Sequence, residues 1–170
     1  HAWDIDGLLG ETPFWGQFWN LKLLNEEQKE LVLKTKAVLR EYLQNHSNTP
    51  DTYGLIHADM IPDNLMLSGD DLCIIDFDDA AYGWHAYDIA SVLVECRFDR
   101  DFESLQSAFL SAYTGRRPLA QRDIDVLGDF DLVRGMAIIG WFHQRPEYAG
   151  AAYFSKFKHW VVDECKRRGY

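Results

Sequence analysis

Residues 54–67 read Gly-Leu-Ile-His-Ala-Asp-Met-Ile-Pro-Asp-Asn-Leu-Met-Leu, and residues 73–79 continue as Cys-Ile-Ile-Asp-Phe-Asp-Asp. Short apolar runs of strand length alternate here with polar turns, and the turn at residues 68–71 (Ser-Gly-Asp-Asp) predicts a hairpin. Because a tight hairpin brings its two ends together, we expect Asn64 and Asp76 to be near neighbours. The segment therefore predicts a small β insertion that carries the polar residues of interest.

The polar residues at the ends of this hairpin suit phosphoryl transfer. The amide oxygen of Asn64 and the carboxylate of Asp76 are oxygen donors of the kind that bind Mg²⁺, which keeps waters and substrate phosphates as its other ligands. Asp59, on the loop before Asn64, is then in a position to accept a proton from an incoming hydroxyl. The spacing His57-x-Asp-x-x-x-x-Asn matches the catalytic loop of kinases, and residues 74–77 (Ile-Ile-Asp-Phe) match the start of their metal-binding segment.

Apolar residues at helical spacing flank the hairpin on both sides. A capping box of Asn25 and Gln28 predicts the start of a helix that continues to Asn45. Residues 1–20 are rich in aromatics and glycine without a clear period, so we expect an ordered loop whose aromatic side chains pack against that helix or line an acceptor pocket. Further helices are predicted over Ile89–Phe98, Phe102–Tyr113, Arg122–Gln144 and Tyr153–Arg167. The predicted fold class is α+β, mainly α, as one compact unit.

The composition excludes several classes of partner. The 170 residues carry 17 basic and 27 acidic side chains, a formal net charge of −10, which opposes binding to nucleic acid or to an anionic membrane. The sequence contains no run of 18 apolar residues that could span a membrane. Cys73, Cys96 and Cys165 form no CxxC pair, so we expect free thiols and a cytoplasmic protein, with Cys73 as a small core residue.

Together these motifs resemble the aminoglycoside phosphotransferase and choline kinase-like family of the protein-kinase-like superfamily. The family pattern has a small residue where Ala58 stands, an acidic residue where Asp78 follows the metal aspartate, and a run that matches residues 87–90 (Tyr-Asp-Ile-Ala). The opening, residues 3–19, is similar more narrowly to bacterial stress-response kinases and to homoserine kinases of the type II-like subgroup. The resemblance covers nearly the whole chain but only the C-terminal lobe of the family fold.

The resemblance implies an ATP- and Mg²⁺-dependent phosphotransferase that moves the γ-phosphate of ATP to an alcohol hydroxyl of a small molecule or of a protein serine or threonine. ATP and a hydroxyl-bearing acceptor are the implied partners, while the identity of the acceptor and the oligomeric state stay open. The implied roles are a catalytic base (Asp59), metal ligands (Asn64, Asp76 and Asp78), a floor beneath the adenine (Met66 and Ile75) and supports of the catalytic loop (His57 and Asp88).

Residues 1–170 are accordingly expected to form the C-terminal, catalytic-loop lobe of a protein-kinase-like fold, a helical bundle that carries the hairpin. The family's glycine-rich loop, its strand lysine for the α- and β-phosphates and the glutamate that pairs with this lysine belong to the N-terminal lobe. That nucleotide-clamping lobe is expected to be missing from this chain, which begins at His1. The isolated chain is then expected to be inactive or incomplete.

Other interpretations of the same residues stay open at this point. Asp59, Asn64 and Asp76 also suit ordinary turns and caps, and Asp78 suits a solvated turn. His57 suits a structural role better than metal binding. A non-catalytic fragment or interaction domain without the nucleotide-clamping lobe is a second function hypothesis. A metal-dependent phosphohydrolase that uses the Asp and His residues is a third.

Overall fold

The computed structural model describes residues 1–46, 48–148 and 150–170. This part of the chain is mainly helical with short strands, which confirms the expected α+β, mainly α class. The strands are β1 (Ala2–Trp3), β2 (Tyr53–Ile56), β3 (Leu65–Ser68), β4 (Asp71–Ile74) and β5 (Ala81–Trp84). The α-helices are α1 (Ile5–Leu9), α2 (Glu26–Gln44), α3 (His85–Glu95), α4 (Phe102–Arg116), α5 (Gln121–Asp125), α6 (Leu127–His143) and α7 (Ala152–Arg168).

Contacts between these elements divide the chain into two compact units. The first comprises His1–Ala2 and Ser47–Asp131, and the second comprises Trp3–His46 and Leu132–Tyr170. The chain passes from one unit to the other after residues 2, 46 and 131, and the last of these points lies inside α6. The sequence predicts one compact unit, whereas the contacts define two.

The strands form a three-stranded sheet in the order β1-β5-β2 and a separate two-stranded sheet of β3 and β4. β2 pairs with β5, which places Gly54 opposite Gly83, and β5 leads directly into α3. The sequence pattern does not predict β5, because Ala-Tyr-Gly-Trp is short and its glycine weakens the strand signal. It also places the start of α3 too late, since the helix begins at His85 rather than at Ile89.

The second pair of strands is the predicted hairpin. β3 and β4 pair with Met66 opposite Cys73, and the chain turns at Gly69, whose left-handed φ of 64° favours glycine. Both faces of this hairpin are open to solvent: Leu67, on one face, is 80% exposed, and Cys73, on the other, is exposed too. The expectation that Cys73 belongs to the core is therefore wrong, because its face of the hairpin is uncovered.

The long helix α2 organises the second unit. Its start carries the predicted capping box, in which the Gln28 N–H donates to Asn25 Oδ1 at 2.9 Å and the Asn25 N–H donates to Gln28 Oε1 at 3.1 Å. α2 packs against α7, and both contribute apolar side chains to the core. The fully buried members from these two helices are Val32, Leu39, Leu43, Phe154, Phe157, Val161 and Cys165.

Residues 1–20 are more regular than the loop that the sequence predicts. Asp4 caps the short helix α1, because its side chain accepts two backbone N–H groups of the first turn. Trp3 and Phe18 are buried, whereas Phe14 is half-exposed. Packing is therefore the main use of these aromatic rings.

The remaining helices follow the predicted pattern with one interruption. The helix predicted over Arg122–Gln144 divides at Val126, which ends α5 immediately before α6 begins. The apolar spacing does not mark this break, and the nearest glycine, Gly128, already lies inside α6. None of the helices in the described ranges has the length and apolar character needed to cross a lipid bilayer.

Candidate active site

The loop between β2 and β3, residues 57–64, carries the predicted catalytic residues. His57 at its start is buried. Its Nε2–H donates to the carbonyl oxygen of Ile75 at 2.9 Å, and its ring centre lies 4.7 Å from that of Phe77. His57 therefore connects the loop to the segment that leaves β4, where Asp76 lies.

Asp59 and Asn64 form the centre of the candidate site. The Asn64 amide donates through Nδ2 to the Asp59 carbonyl oxygen at 2.9 Å and to the Asp59 carboxylate oxygen Oδ2 at 3.2 Å. Asn64 is 7% exposed, whereas Asp59 is half-buried. The buried amide thus restricts the orientation of a carboxylate that solvent and ligands can reach.

Asp76 lies at the end of the hairpin, close to Asn64 along the strand pair. The Ile75 N–H donates to the Asn64 carbonyl oxygen at 3.0 Å, so the backbone contact is one residue away from Asp76. Asp76 has a left-handed φ of 62°, and Ala58 on the loop has one of 65°. Residues other than glycine seldom adopt this conformation, and such residues cluster at functional sites. Both segments of the site therefore carry a strained residue.

The oxygen donors at this point fit a hard divalent cation. Because Asn64 Nδ2 faces Asp59, the amide oxygen Oδ1 is directed away from it, and Asp76 and Asp78 are exposed on the segment after β4. The described ranges contain no cluster of three or more His, Cys, Asp or Glu ligands. Mg²⁺ needs no such cluster, since it binds through one or two carboxylates and keeps waters and substrate phosphates. The donor set therefore suits a magnesium ion shared with a phosphate ligand.

The two residues predicted to contact a nucleobase lie on one face of the hairpin. Side chains alternate along a strand, so Met66, Cys73 opposite it and Ile75 share that face. Met66 is 55% exposed and Ile75 is 39% exposed. An open apolar face beside oxygen donors is a suitable surface for a flat heterocycle that carries phosphates.

Helix α3 binds the backbone of the loop through two side chains. The Ala58 N–H donates to Asp88 Oδ1 at 2.8 Å. Burial raises the pKa of the Asp88 carboxyl, and the N–H groups of Ala58 and His57 oppose that rise. The Met60 N–H donates to Ser91 Oγ at 3.1 Å. Sequence reasoning singled out Asp88 but missed Ser91, although their i, i+3 spacing on one helix face is the signal that could reveal it.

A second polar contact ties the start of α3 to the residue that follows α4. Arg117 Nη2 donates to His85 Nε2 at 2.9 Å and also to the Pro50 carbonyl oxygen at 2.8 Å. Burial lowers the pKa of His85, and the charge of Arg117 lowers it further. The ring lies against β2, where a side-chain carbon at Gly54 would come within 2.9 Å of His85 Cε1. Glycine at this strand position therefore makes room for the imidazole.

A known protein family matches the part of the chain that holds the loop, the hairpin and helix α3. Residues 4–122, which include all three, match the phosphotransferase enzyme family (APH). The chain belongs to this family. Homoserine kinases from Brucella abortus (strain S19) and Brucella canis are each 36% identical to it over 132 residues. Each alignment covers 74% of this chain and 40% of the homoserine kinase.

Solved structures of kinases share the fold of this phosphotransferase-family chain. A microcompartment-associated aminopropanol kinase is similar with a TM-score of 0.81 and 26% identity, over 97% of this chain and 51% of that one. The amicoumacin kinase hAmiN, solved with AMP-PNP, Ca²⁺ and Ami, has a TM-score of 0.70 and 24% identity, over 91% of this chain and 50% of that one. The expected kinase-like fold is confirmed. The chain spans about half the length of these solved kinases and 40% of the homoserine kinases.

Proposed function

We propose that these residues form the catalytic-loop half of an ATP- and Mg²⁺-dependent kinase, which transfers the γ-phosphate to the hydroxyl of a small molecule that also bears an amine. The observation that carries the proposal is the hydrogen bond from Asn64 Nδ2 to the Asp59 carboxylate, beside the backbone bond that joins Asn64 to the segment of Asp76. The proton acceptor acts on the attacking hydroxyl and the metal ligands act on the phosphates, so both must lie close to the transferred phosphoryl group. These two contacts support such an arrangement of Asp59, Asn64 and Asp76.

In the proposed reaction Asp59 accepts the proton of the acceptor hydroxyl as the hydroxyl oxygen attacks the γ-phosphorus of ATP. The bond between this phosphorus and the β-phosphate oxygen breaks, and ADP leaves. The Asn64 amide holds Oδ2, so the carboxylate keeps one orientation toward the acceptor. Asn64, Asp76 and Asp78 would hold Mg²⁺, which supplies neutralisation of the phosphate charge when it is bound. Positioning and electrostatics, rather than covalent chemistry by the protein, then account for the rate.

The nucleotide has its own support on the hairpin in this proposal. Met66 and Ile75 lie beneath the adenine, while His57 and Asp88 keep the catalytic loop in place. We assign the groups that clamp the phosphates to an N-terminal lobe outside the 170 residues, and the exposed Leu67 face of the hairpin suits contact with such a lobe. The free thiols of Cys73, Cys96 and Cys165 favour the cytoplasm as the place of action.

The acceptor class rests on the relatives and on charge. The kinases with 36% and 26% identity are named for homoserine and aminopropanol, which each carry an amine and a hydroxyl. A net charge of −10 attracts a protonated amine toward the protein. Both considerations favour an amine-bearing acceptor over a sugar.

The variant Asp59→Asn in the full-length protein tests the proposal. We expect kcat for transfer from ATP to homoserine or 1-amino-2-propanol to fall roughly 10²- to 10⁴-fold, the range for loss of a general base. KM for ATP and the unfolding midpoint should stay near the wild-type values, because the carboxylate is replaced by a group of the same shape. Asp63→Asn is the matched control, since Asp63 is an exposed carboxylate of the same loop. Wild-type turnover by Asp59→Asn would contradict the assignment.

A role in binding alone is the second candidate function. The open apolar faces of the hairpin suit a protein partner as well as a nucleotide. Calorimetric titration of the full-length protein with Mg·ATP, followed by an assay for transfer with both acceptors, separates the two. Binding with turnover supports the kinase, whereas no heat of binding and no turnover support the interaction module.

A further inference from the structure

Two consecutive anchors from α3 hold the backbone on either side of Asp59. Asp88 Oδ1 accepts the Ala58 N–H, and Ser91 Oγ accepts the Met60 N–H at 3.1 Å. Ser91 lies one helical turn after Asp88 and is 0% exposed. The second anchor connects residues 31 positions apart in the sequence, so it is a tertiary contact and not a local helix effect.

The hydroxyl of Ser91 has a defined direction. It donates its single proton to the Asp88 carbonyl oxygen at 2.7 Å, which leaves its lone pairs to receive the Met60 N–H. A serine inside a helix commonly makes only the first of these bonds, to a carbonyl of the preceding turn. The second bond is therefore the informative one, and burial keeps water from replacing it.

The Met60 N–H and the Asp59 carbonyl belong to the same peptide group. Ser91 holds the N–H edge of this peptide, while the Asn64 Nδ2 and the Ile61 N–H, each at 2.9 Å, hold the carbonyl edge. A planar peptide held on both edges cannot rotate about its neighbouring Cα bonds. The direction of the Asp59 side chain depends on that rotation.

We propose that Ser91 is a positioning residue for the base: by fixing the Asp59–Met60 peptide it sets the direction in which the Asp59 carboxylate meets the acceptor. This inference rests on the proposed function, because it concerns the same proton acceptor. Ser91 touches neither substrate nor metal in this role, and it acts through the backbone. Its loss should affect turnover more than nucleotide affinity.

The test compares Ser91→Ala, Ser91→Cys and Ser91→Thr in the full-length protein, with homoserine and 1-amino-2-propanol as acceptors. We expect Ser91→Ala to lower kcat about tenfold to a hundredfold, the range for a misplaced reacting group, with KM for ATP nearly unchanged. Cysteine is close to serine in volume, but its sulfur is a weak hydrogen-bond acceptor, so Ser91→Cys should lower kcat as Ser91→Ala does. Ser91→Thr keeps the hydroxyl and should restore most of the rate.

A matched control separates positioning from stability. Thr35→Val removes another buried helix hydroxyl, which donates to the Leu31 carbonyl at 2.9 Å in α2. It should lower the unfolding midpoint and leave kcat at the wild-type value. Hydrogen exchange of the Met60 amide should accelerate in Ser91→Ala and stay unchanged in Thr35→Val.

Each outcome decides the proposal. Wild-type kcat in both Ser91→Ala and Ser91→Cys, or loss of rate in Thr35→Val that equals theirs, overturns the positioning role while the proposed function stands. Unchanged exchange of the Met60 amide in Ser91→Ala overturns it as well. A wild-type protein that transfers phosphate to neither acceptor overturns the proposed function, and the role of Ser91 with it.

Discussion

The catalytic loop and the hairpin that follows it are built in opposite ways. In the loop, residues 57–64, polar side chains such as His57 and Asn64 are buried and hydrogen-bonded. In the hairpin, apolar side chains such as Met66 and Leu67 are exposed. Proteins ordinarily bury apolar groups and expose polar ones. The inversion supports the proposed roles of both regions in a functional site.

This difference shows which part of the candidate site takes its geometry from contacts between described residues and which part does not. The loop receives its anchors from α3 and from the segment after β4, so its geometry is set by described residues. The hairpin offers two open faces and depends on whatever binds there. We therefore expect variants that remove a support of the loop to lower both stability and rate. Changes on the hairpin should instead alter the binding of ligands to its open faces.

Asp88→Ala should have the largest effect on stability. It leaves the N–H groups of Ala58 and His57 without the carboxylate that they contact, and each unsatisfied buried donor costs about 1–3 kcal/mol. We expect the free energy of unfolding to fall by roughly 2–4 kcal/mol, since relief of the buried carboxyl offsets part of the loss. Urea titration of the full-length protein measures it.

The matched variant for this prediction removes a carboxylate from the hairpin. Asp70→Ala lies in the exposed turn beside Gly69 and should change the free energy of unfolding by less than about 0.5 kcal/mol. Equal losses in Asp88→Ala and Asp70→Ala would break the distinction between a supported loop and an open hairpin.

The thiol of Cys73 reports on the open face of the hairpin. Cys73 is exposed opposite Met66, whereas burial raises the pKa of Cys165, so iodoacetamide should modify Cys73 first. Mg·ATP at ten times its Kd should slow that modification about tenfold, because it leaves about one site in eleven empty. Mass spectrometry of labelled peptides gives both rates. Equal labelling with and without Mg·ATP would show that the nucleotide does not cover this face.

The smallest expected effect is the pH dependence of stability that His85 contributes at the N-terminal end of α3. His85 is neutral when its Nε2 accepts from Arg117, and burial followed by the Arg117 charge holds its pKa below the ordinary value of 6.5. The unfolded chain binds this proton at a higher pH than the folded one. Stability from His85 is therefore complete above about pH 6.5 and is lost as the pH falls below it. The nearby carboxylates of Asp88 and Asp123 oppose the shift.

His85→Gln provides the comparison for this pH effect, because glutamine can accept from Arg117 and does not titrate. The urea midpoint of the wild-type protein should fall more between pH 7.5 and pH 5.5 than that of the variant. Parallel pH profiles would show that His85 does not contribute to the pH dependence of stability.

The features that the sequence predicts correctly depend on contacts between near neighbours. The capping box of Asn25 and Gln28 spans three residues, and both of its hydrogen bonds are present. The turn at residues 68–71 places β3 and β4 in register. The proximity of Asn64 to the segment of Asp76 then follows from the geometry of any hairpin. Short-range rules suffice for these elements.

The features that it misses depend on residues far apart in the chain. The i, i+3 spacing of Ser91 from Asp88 indicates a shared helix face, but no local pattern indicates that Ser91 binds Met60, 31 residues away. β5 exists because β2 pairs with it, not because its own four residues favour a strand. Whether Cys73 is exposed depends on whether another part of the protein covers the hairpin. An apolar strand pattern predicts burial whether or not such a cover exists.

The tip of the hairpin has a consequence for optical measurements on this protein. A side-chain carbon at Gly69 would meet none of the described atoms within 4 Å, so the space around the turn is open. The left-handed φ of Gly69 strains any other residue there, so the exposed Asp70 beside it is the attachment position. A fluorophore attached at this turn would sit on the same strands as Met66 and Cys73, yet outside the loop that holds Asp59. The hairpin tip is thus an attachment point for a reporter that senses occupancy of the open face and leaves the reacting groups untouched.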